Sequence, residues 1–181
     1  MTAEDLPARS LSLRGFVRLV IDQCLLSVQG IHGVAHWGRV LENGRRLAPL
    51  TGADLRVIEL FSIFHDACRR RDGIDADHGP RGAALALAHR GEIGLDDRGL
   101  ALLVEACECH TRGPRRGADV TVLACLDADR LDIPRVGMQT RPELLFTAAA
   151  RDRKMIGWAG ARASLGETPL VCAEEWGWSD R

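Results

Sequence analysis

The chain has 181 residues, of which 46% are apolar and 27% charged, with a formal net charge of −1. That length buries a full core within one domain, and the balance is that of a water-soluble globular chain rather than a disordered or membrane-embedded one. Near-neutral charge and 4% aromatic residues supply neither a basic field nor a stacking platform for a nucleic-acid polymer.

In chain order, Ser10 or Ser12 caps a first helix carrying Phe16, Val17, Val20, Ile21, Leu25 and Leu26, ending near Gly30. A second helix runs from about Gly33 to Leu47, with Val34, Trp37, Val40 and Leu41 on one side. Thr51 or Asp54 starts a third, apolar nearly all round through Leu55, Val57, Ile58, Leu60, Phe61, Ile63 and Phe64. Such a helix belongs at the centre of the domain. The charged stretch RRRDGIDADHGP is a loop, punctuated by Gly73 and Pro80. A fourth helix follows from about Pro80, and a fifth covers DDRGLALLVEACECH with Asp96 or Asp97 at its start. VTVLACLDADRL opens on β-branched residues, yet reads as helix because its neighbours are helical. One more helix covers about 151–165. No strand alternation or internal repeat is present, which gives an all-α single domain, a bundle of about six to eight helices. Its body spans 1–165 and its tail 166–181, where Trp176 and Trp178 can dock.

The six cysteines form no CxxC pair and read as reduced thiols, packed as small hydrophobes. Cys107 and Cys109 beside His110 give only a weak zinc signal. The polar opening MTAEDLPARS is no secretion leader and no uncharged apolar stretch reaches membrane length, so the expected location is cytoplasmic, with no membrane partner. Of 24 basic residues only Lys154 is lysine; most of the arginines reflect codon usage, while those near the histidines can serve as phosphate forks.

The His65–Asp66 doublet proves little alone, because this composition yields about half of one such pair by chance. An imidazole and a carboxylate at the end of a buried apolar helix nevertheless need a partner. A hydrogen-bonded core pair is one solution, and a divalent cation is the other. His36 on the preceding helix, Asp127 on a later one, and His78 and His110 at helix boundaries favour the cation. Arg39, Arg81 and Arg130 each lie three residues after His36, His78 and Asp127, and Arg69 accompanies the doublet segment. Each can reach the site or orient a ligand. His32 fits substrate contact better than ligation. His89 reads as a packing residue and Asp129, two residues from Asp127, as solvated or capping. The loop RGPRRG is a candidate phosphate clamp.

The array His36, His65-Asp66, Asp127 resembles the HD-domain superfamily of metal-dependent phosphohydrolases over about 31–135, on HGVAHWGRV, FHDACRR and DADRLD. The resemblance implies that His36, His65, Asp66 and Asp127 hold one metal ion, and that His78 (in HGPRG) and His110 complete a site for a second. The chain lacks the Gly-Tyr-Pro signature and paired His of the cyclic-dinucleotide branch, and the acidic pair of guanosine-tetraphosphate hydrolases. The implied reaction is cleavage of a phosphoester or phosphoanhydride of a small molecule or nucleotide by metal-activated water. Asp66 would serve as ligand and, through a free oxygen, as proton acceptor, with Arg39, Arg69, Arg81, Arg130 and His32 on the phosphate. Imidazole-rich ligation favours Mn, Fe, Co, Ni or Zn over Mg. One ion is the first expectation and two the extended one. A mixed-valent diiron oxygenase on the same scaffold, or a metal-binding sensor without catalysis, are the alternatives.

Overall fold

The computed structural model describes residues 10–179; the leader-free reading of the first nine residues falls outside it. Among the described residues there are nine α-helices and no strand. They are α1 (Leu13–Ile21), α2 (Val34–Thr51), α3 (Leu55–Phe64), α4 (His78–Ala88), α5 (Arg90–Ile93), α6 (Asp97–Cys109), α7 (Val120–Arg130), α8 (Arg153–Ser164) and α9 (Leu170–Glu174). Two 3-10 turns, Ile133–Val136 and Pro142–Leu144, lie between α7 and α8. The helices beyond the expected range are the short α5 and α9.

Side-chain oxygens decide where most helices begin. Ser12, Asp54, Asp96, Asp119 and Asp152 each accept a backbone N–H of the first turn of α1, α3, α6, α7 and α8. Of the paired cap candidates in the sequence, the structure therefore takes Ser12, Asp54 and Asp96. VTVLACLDADR is helical despite its β-branched start, because Asp119 caps it and its inner face packs on α2, α3 and α6. α1 stops at Ile21 rather than near Gly30. Leu25 is 73% exposed, and the Val34 N–H donates to the Val28 carbonyl at 2.8 Å, turning the chain back to start α2.

α3 is the central helix, touching α1, α2, α4, α6 and α7, with Val57, Ile58 and Leu60 to Phe64 buried. A three-residue turn through Gly52, at φ +75°, connects α2 to it. The segment after residue 165 packs onto the body: Trp176 is 1% exposed and its carbonyl accepts from Arg14 Nε at 3.2 Å.

α4 lies closer to its neighbours than side chains would permit. A Cβ on Gly82 would stand 2.3 Å from the Phe64 carbonyl oxygen, and one on Gly79 would stand 2.4 Å from that of Cys107. These two glycines of HGPRG let the start of α4 press on the C-terminal ends of α3 and α6, where His65 and His110 sit. Gly82→Ala is expected to cost about 1–3 kcal/mol by overpacking. The check is a lowered midpoint in urea, with the larger fluorescence change expected in Trp37, beside α3, than in Trp158 on α8.

Candidate metal centre

Helix ends bring the polar side chains together. His36 is in the first turn of α2, His65 caps the C-terminus of α3 with Asp66 following, His78 opens α4, and His110 caps the C-terminus of α6. All four imidazoles and Asp66 are at most 5% exposed in the apolar interior. Phe61 stacks on the His65 ring at 4.8 Å. They form two groups sharing Asp66: His36, His65 and Asp66, and Asp66, His78 and His110.

The four imidazoles share one hydrogen-bonding logic. His36 Nδ1–H donates to Asp132 Oδ2 at 2.7 Å, and His65 Nδ1–H to the Phe61 carbonyl at 3.0 Å. His78 Nδ1–H donates to the Asp75 carbonyl at 2.5 Å, and His110 Nδ1–H to the Cys107 carbonyl at 2.7 Å. Because carbonyls only accept, each neutral ring carries its proton on Nδ1 and turns a bare Nε2 inward. The Nε2 atoms meet at 3.1 Å for His36 and His65, and at 2.8 Å for His78 and His110. Opposed lone pairs at such distances repel unless a cation lies among them.

The spacing suits an ion. Bonds of about 2.0–2.2 Å in tetrahedral or octahedral geometry place neighbouring donor atoms about 2.9–3.6 Å apart. In the first group, His36 Nε2 and His65 Nε2 lie 3.6 and 3.8 Å from Asp66 Oδ2. In the second, His78 Nε2 and His110 Nε2 lie 3.1 and 3.6 Å from Asp66 Oδ1. Asp66 thus faces each group with one oxygen.

Electrostatics keep the first group ready. Burial, with Arg135 and His65 adding to it, pushes His36 well below the usual imidazole range. Burial likewise brings His65 to about 4, against the pull of Asp66 and Asp129. Burial alone would raise Asp66, but the imidazoles around it, His65 first and then His110, His32 and His78, hold it well below the usual carboxylate range. For His110 burial pulls down, but the nearby Asp66 and Asp129 carboxylates outweigh it and raise the ring. Deprotonated imidazoles and an ionised carboxylate are the forms that bind a cation.

On α7 the carboxylate that turns toward the histidines is not the one the sequence singled out. Asp127 is fully buried, but its oxygens accept from Phe146 N–H at 2.8 Å, Thr147 N–H at 2.8 Å and Thr147 Oγ1 at 2.7 Å. It anchors the segment leading to α8. Asp129, read as solvated, instead brings Oδ1 to 3.5 Å from His36 Nε2 and 3.8 Å from His65 Nε2. Those imidazoles, with Arg135 and His110, hold its carboxyl low despite burial. Two residues turn a helix by about 200°, so only one of the two acids can face the histidines.

The arginines divide in the same way. Arg39 is buried and forks onto Asp132, with Nε–Oδ1 at 2.7 Å and Nη2–Oδ2 at 3.1 Å, and also donates to the Glu167 carbonyl. It holds the partner of His36 and does not line the cavity. Arg81 is engaged by Asp75 at 2.6 and 2.7 Å and by the Cys68 carbonyl, fixing the loop before α4. In the RGPRRG loop, Arg112 and Arg115 point outward, to the Ala76 carbonyl and to Glu108, with side chains 64% and 72% exposed. His32, Arg69 and Arg130 do line the cavity that opens onto the centre. His32 Nδ1–H also donates to Asp66 Oδ2 at 2.8 Å.

That cavity measures about 760 Å³. Asp129, His110, His32 and Arg69 form its inner end, and Ile133, Val136, Met138 and Leu144 contribute an apolar wall. Arg135, which the sequence reading passed over, lies on it beside His32, with Nη2 3.4 Å from His32 Nδ1. The cysteines stand apart: burial keeps the Cys107 thiol far up and that of Cys109 at about 11, and neither groups with the histidines among the described residues. Nor, among those residues, is any helix long and apolar enough to cross a membrane.

No protein-family model matches the chain, and no curated protein matches it. A similar solved structure is that of a predicted HD superfamily hydrolase from an uncultured Thermotogales bacterium. It is 25% identical, with a TM-score of 0.64, and the match covers 99% of this chain and 100% of that one. The helical order, the doublet ending the central helix and the match over nearly the whole length lead to one assignment: this chain has the HD-domain fold.

Proposed function

We propose that the chain is a metal-dependent phosphohydrolase acting on a phosphate ester or anhydride of a small molecule or nucleotide. The observation that carries the reading is the inward convergence of bare Nε2 atoms and carboxylates beside a cavity bearing arginines. His36, His65, Asp66 and Asp129 would hold the ion, Asp129 replacing Asp127 in the expected set. When bound, a divalent ion supplies Lewis-acid activation of water and neutralises charge on a phosphoryl group.

The chain's own residues prepare that chemistry. Asp132, gripped by Arg39, fixes the His36 ring, and the Phe61 carbonyl fixes that of His65, so neither ring reorganises to bind. Arg130, Arg135 and His32 stand where phosphate oxygens enter, and charge-assisted bonds from such groups are the strong ones. The apolar wall receives the organic part of the substrate and keeps water away from it. Both Asp66 oxygens already have neighbours and the carboxyl is held low, which favours a ligand role for Asp66 over the proton-acceptor role that the sequence suggested. The nitrogen-rich donor set favours Mn, Fe, Co, Ni or Zn.

The test is phosphate release from a panel of nucleotides and phosphomonoesters by metal-stripped protein reloaded with Mn, Co, Ni or Zn in the absence of oxygen. Turnover with redox-inert zinc is expected; strict dependence on iron and dioxygen would favour the oxygenase instead. Asp132→Asn keeps the shape but removes the charge that fixes His36. It is expected to weaken metal binding about 10–100-fold, measured by competition with a chromophoric chelator.

A further inference from the structure

We propose that the guanidinium of Arg69 takes the place of a second metal ion. It is the cation of the Asp66–His78–His110 group, so the chain holds one tight ion, with a fixed arginine facing it across the shared carboxylate. The inference rests on the reading of the first group as a metal site.

The three donor atoms of the second group are spaced as an ion would require, yet two of them are already engaged. Arg69 Nη1 lies 3.0 Å from His78 Nε2 and 3.3 Å from Asp66 Oδ1. The proton of the His78 ring is on Nδ1, donated to the Asp75 carbonyl. Its Nε2 therefore has a single lone pair, and Arg69 takes it. An ion in this group would have to compete for that lone pair.

Arg69 is not a side chain resting there for want of a partner. Its Nη2 donates to the Gly73 carbonyl at 2.9 Å, its Nε to the Arg71 carbonyl at 3.4 Å, and the residue is only 9% exposed. The loop between α3 and α4 wraps the guanidinium and aims it at the centre.

The charge count separates the two groups. Around the first stand two carboxylates, Asp66 and Asp129. The second has Asp66 alone, shared with the first, and a guanidinium within hydrogen-bond reach of the same oxygen. A divalent ion added there would put three positive charges against part of one negative charge, in a buried setting where repulsion is poorly screened. Arg69 also lines the substrate cavity, where a planar fork can hold phosphate oxygens as an ion would.

The experiment is equilibrium dialysis of the metal-stripped full chain against Mn2+ or Co2+, with bound metal counted by elemental analysis. Wild type is expected to hold one equivalent, and any second equivalent about 100-fold more weakly. Arg69→Gln should take up two equivalents with the second site tightened about 10–100-fold, and Arg69→Met serves if the glutamine variant folds poorly. Arg69→Lys should stay at one. Adding His110→Ala to Arg69→Gln should return the count to one, locating the gained ion. Two equivalents of similar affinity in wild type, or one in both neutral variants, would overturn the role of Arg69. Wild type binding no ion would instead overturn the metal reading itself.

Discussion

Asp66→Ala is expected to leave the purified protein without bound metal and to lower kcat/KM by about a thousandfold or more. The carboxylate is the element common to both groups: Oδ2 faces His36 and His65, while Oδ1 faces His78 and His110. It is also the anion against which His32 and Arg69 are set. Its removal strips the first group of one of two carboxylates and leaves a buried guanidinium without its ionic partner, which is costly in a poorly solvated interior. Thermal stability should therefore fall as well. Helical content should persist, because Phe61, Phe64, Leu60 and the rest of the α3 face pack independently of the carboxylate. Asp66→Asn separates the effects by keeping the shape and much of the hydrogen bonding: it should fold near wild type and still fail to bind metal. Normal metal content in that variant would remove Asp66 from the site.

The features legible in the sequence were those set by periodicity or by a local motif. α3 reads as central because it is apolar all round, and its end carries the doublet within one motif. His78 and the two glycines of HGPRG stand together in the chain, and the close approach of α4 to the Phe64 carbonyl gives the pattern its physical reason. The misread residues depended on rotation about a helix or on contacts distant in sequence. Arg39 does share a face with His36, as its spacing indicates, but that face is closed by Asp132, ninety-three residues away, and the pair turns inward on itself. Arg81 does the same with Asp75. Arg135 belongs to a 3-10 turn that no periodicity announces, and only tertiary structure lays it beside His32. Trp176 is too large and apolar to leave in water, and it is buried.

The second large effect is a reversal between neighbours on α7. Asp129→Ala should lose most of its bound metal and its activity, by about a hundredfold or more, while its unfolding midpoint changes little. Its side chain is 18% exposed, and its Oδ1 faces the His36 and His65 nitrogens at 3.5 and 3.8 Å. Asp127→Ala should do the opposite. It removes the acceptor of the Phe146 and Thr147 N–H groups and of the Thr147 hydroxyl, leaving buried donors unmatched at a cost of about 3–5 kcal/mol. The folded fraction should nevertheless bind metal normally at low temperature. The helix pattern alone does not separate the two. Asp129 continues the face of Val122, Cys125 and Leu126, and Asp127 that of Ala124 and Leu131, all of them fully buried. What distinguishes them is tertiary: Asp129 turns toward the His36 and His65 nitrogens, while Asp127 ties down Phe146 and Thr147. Measuring metal content and urea midpoint on both variants decides the assignment. A stable Asp127→Ala protein without metal, or a metal-replete Asp129→Ala protein, would return the ligand role to Asp127.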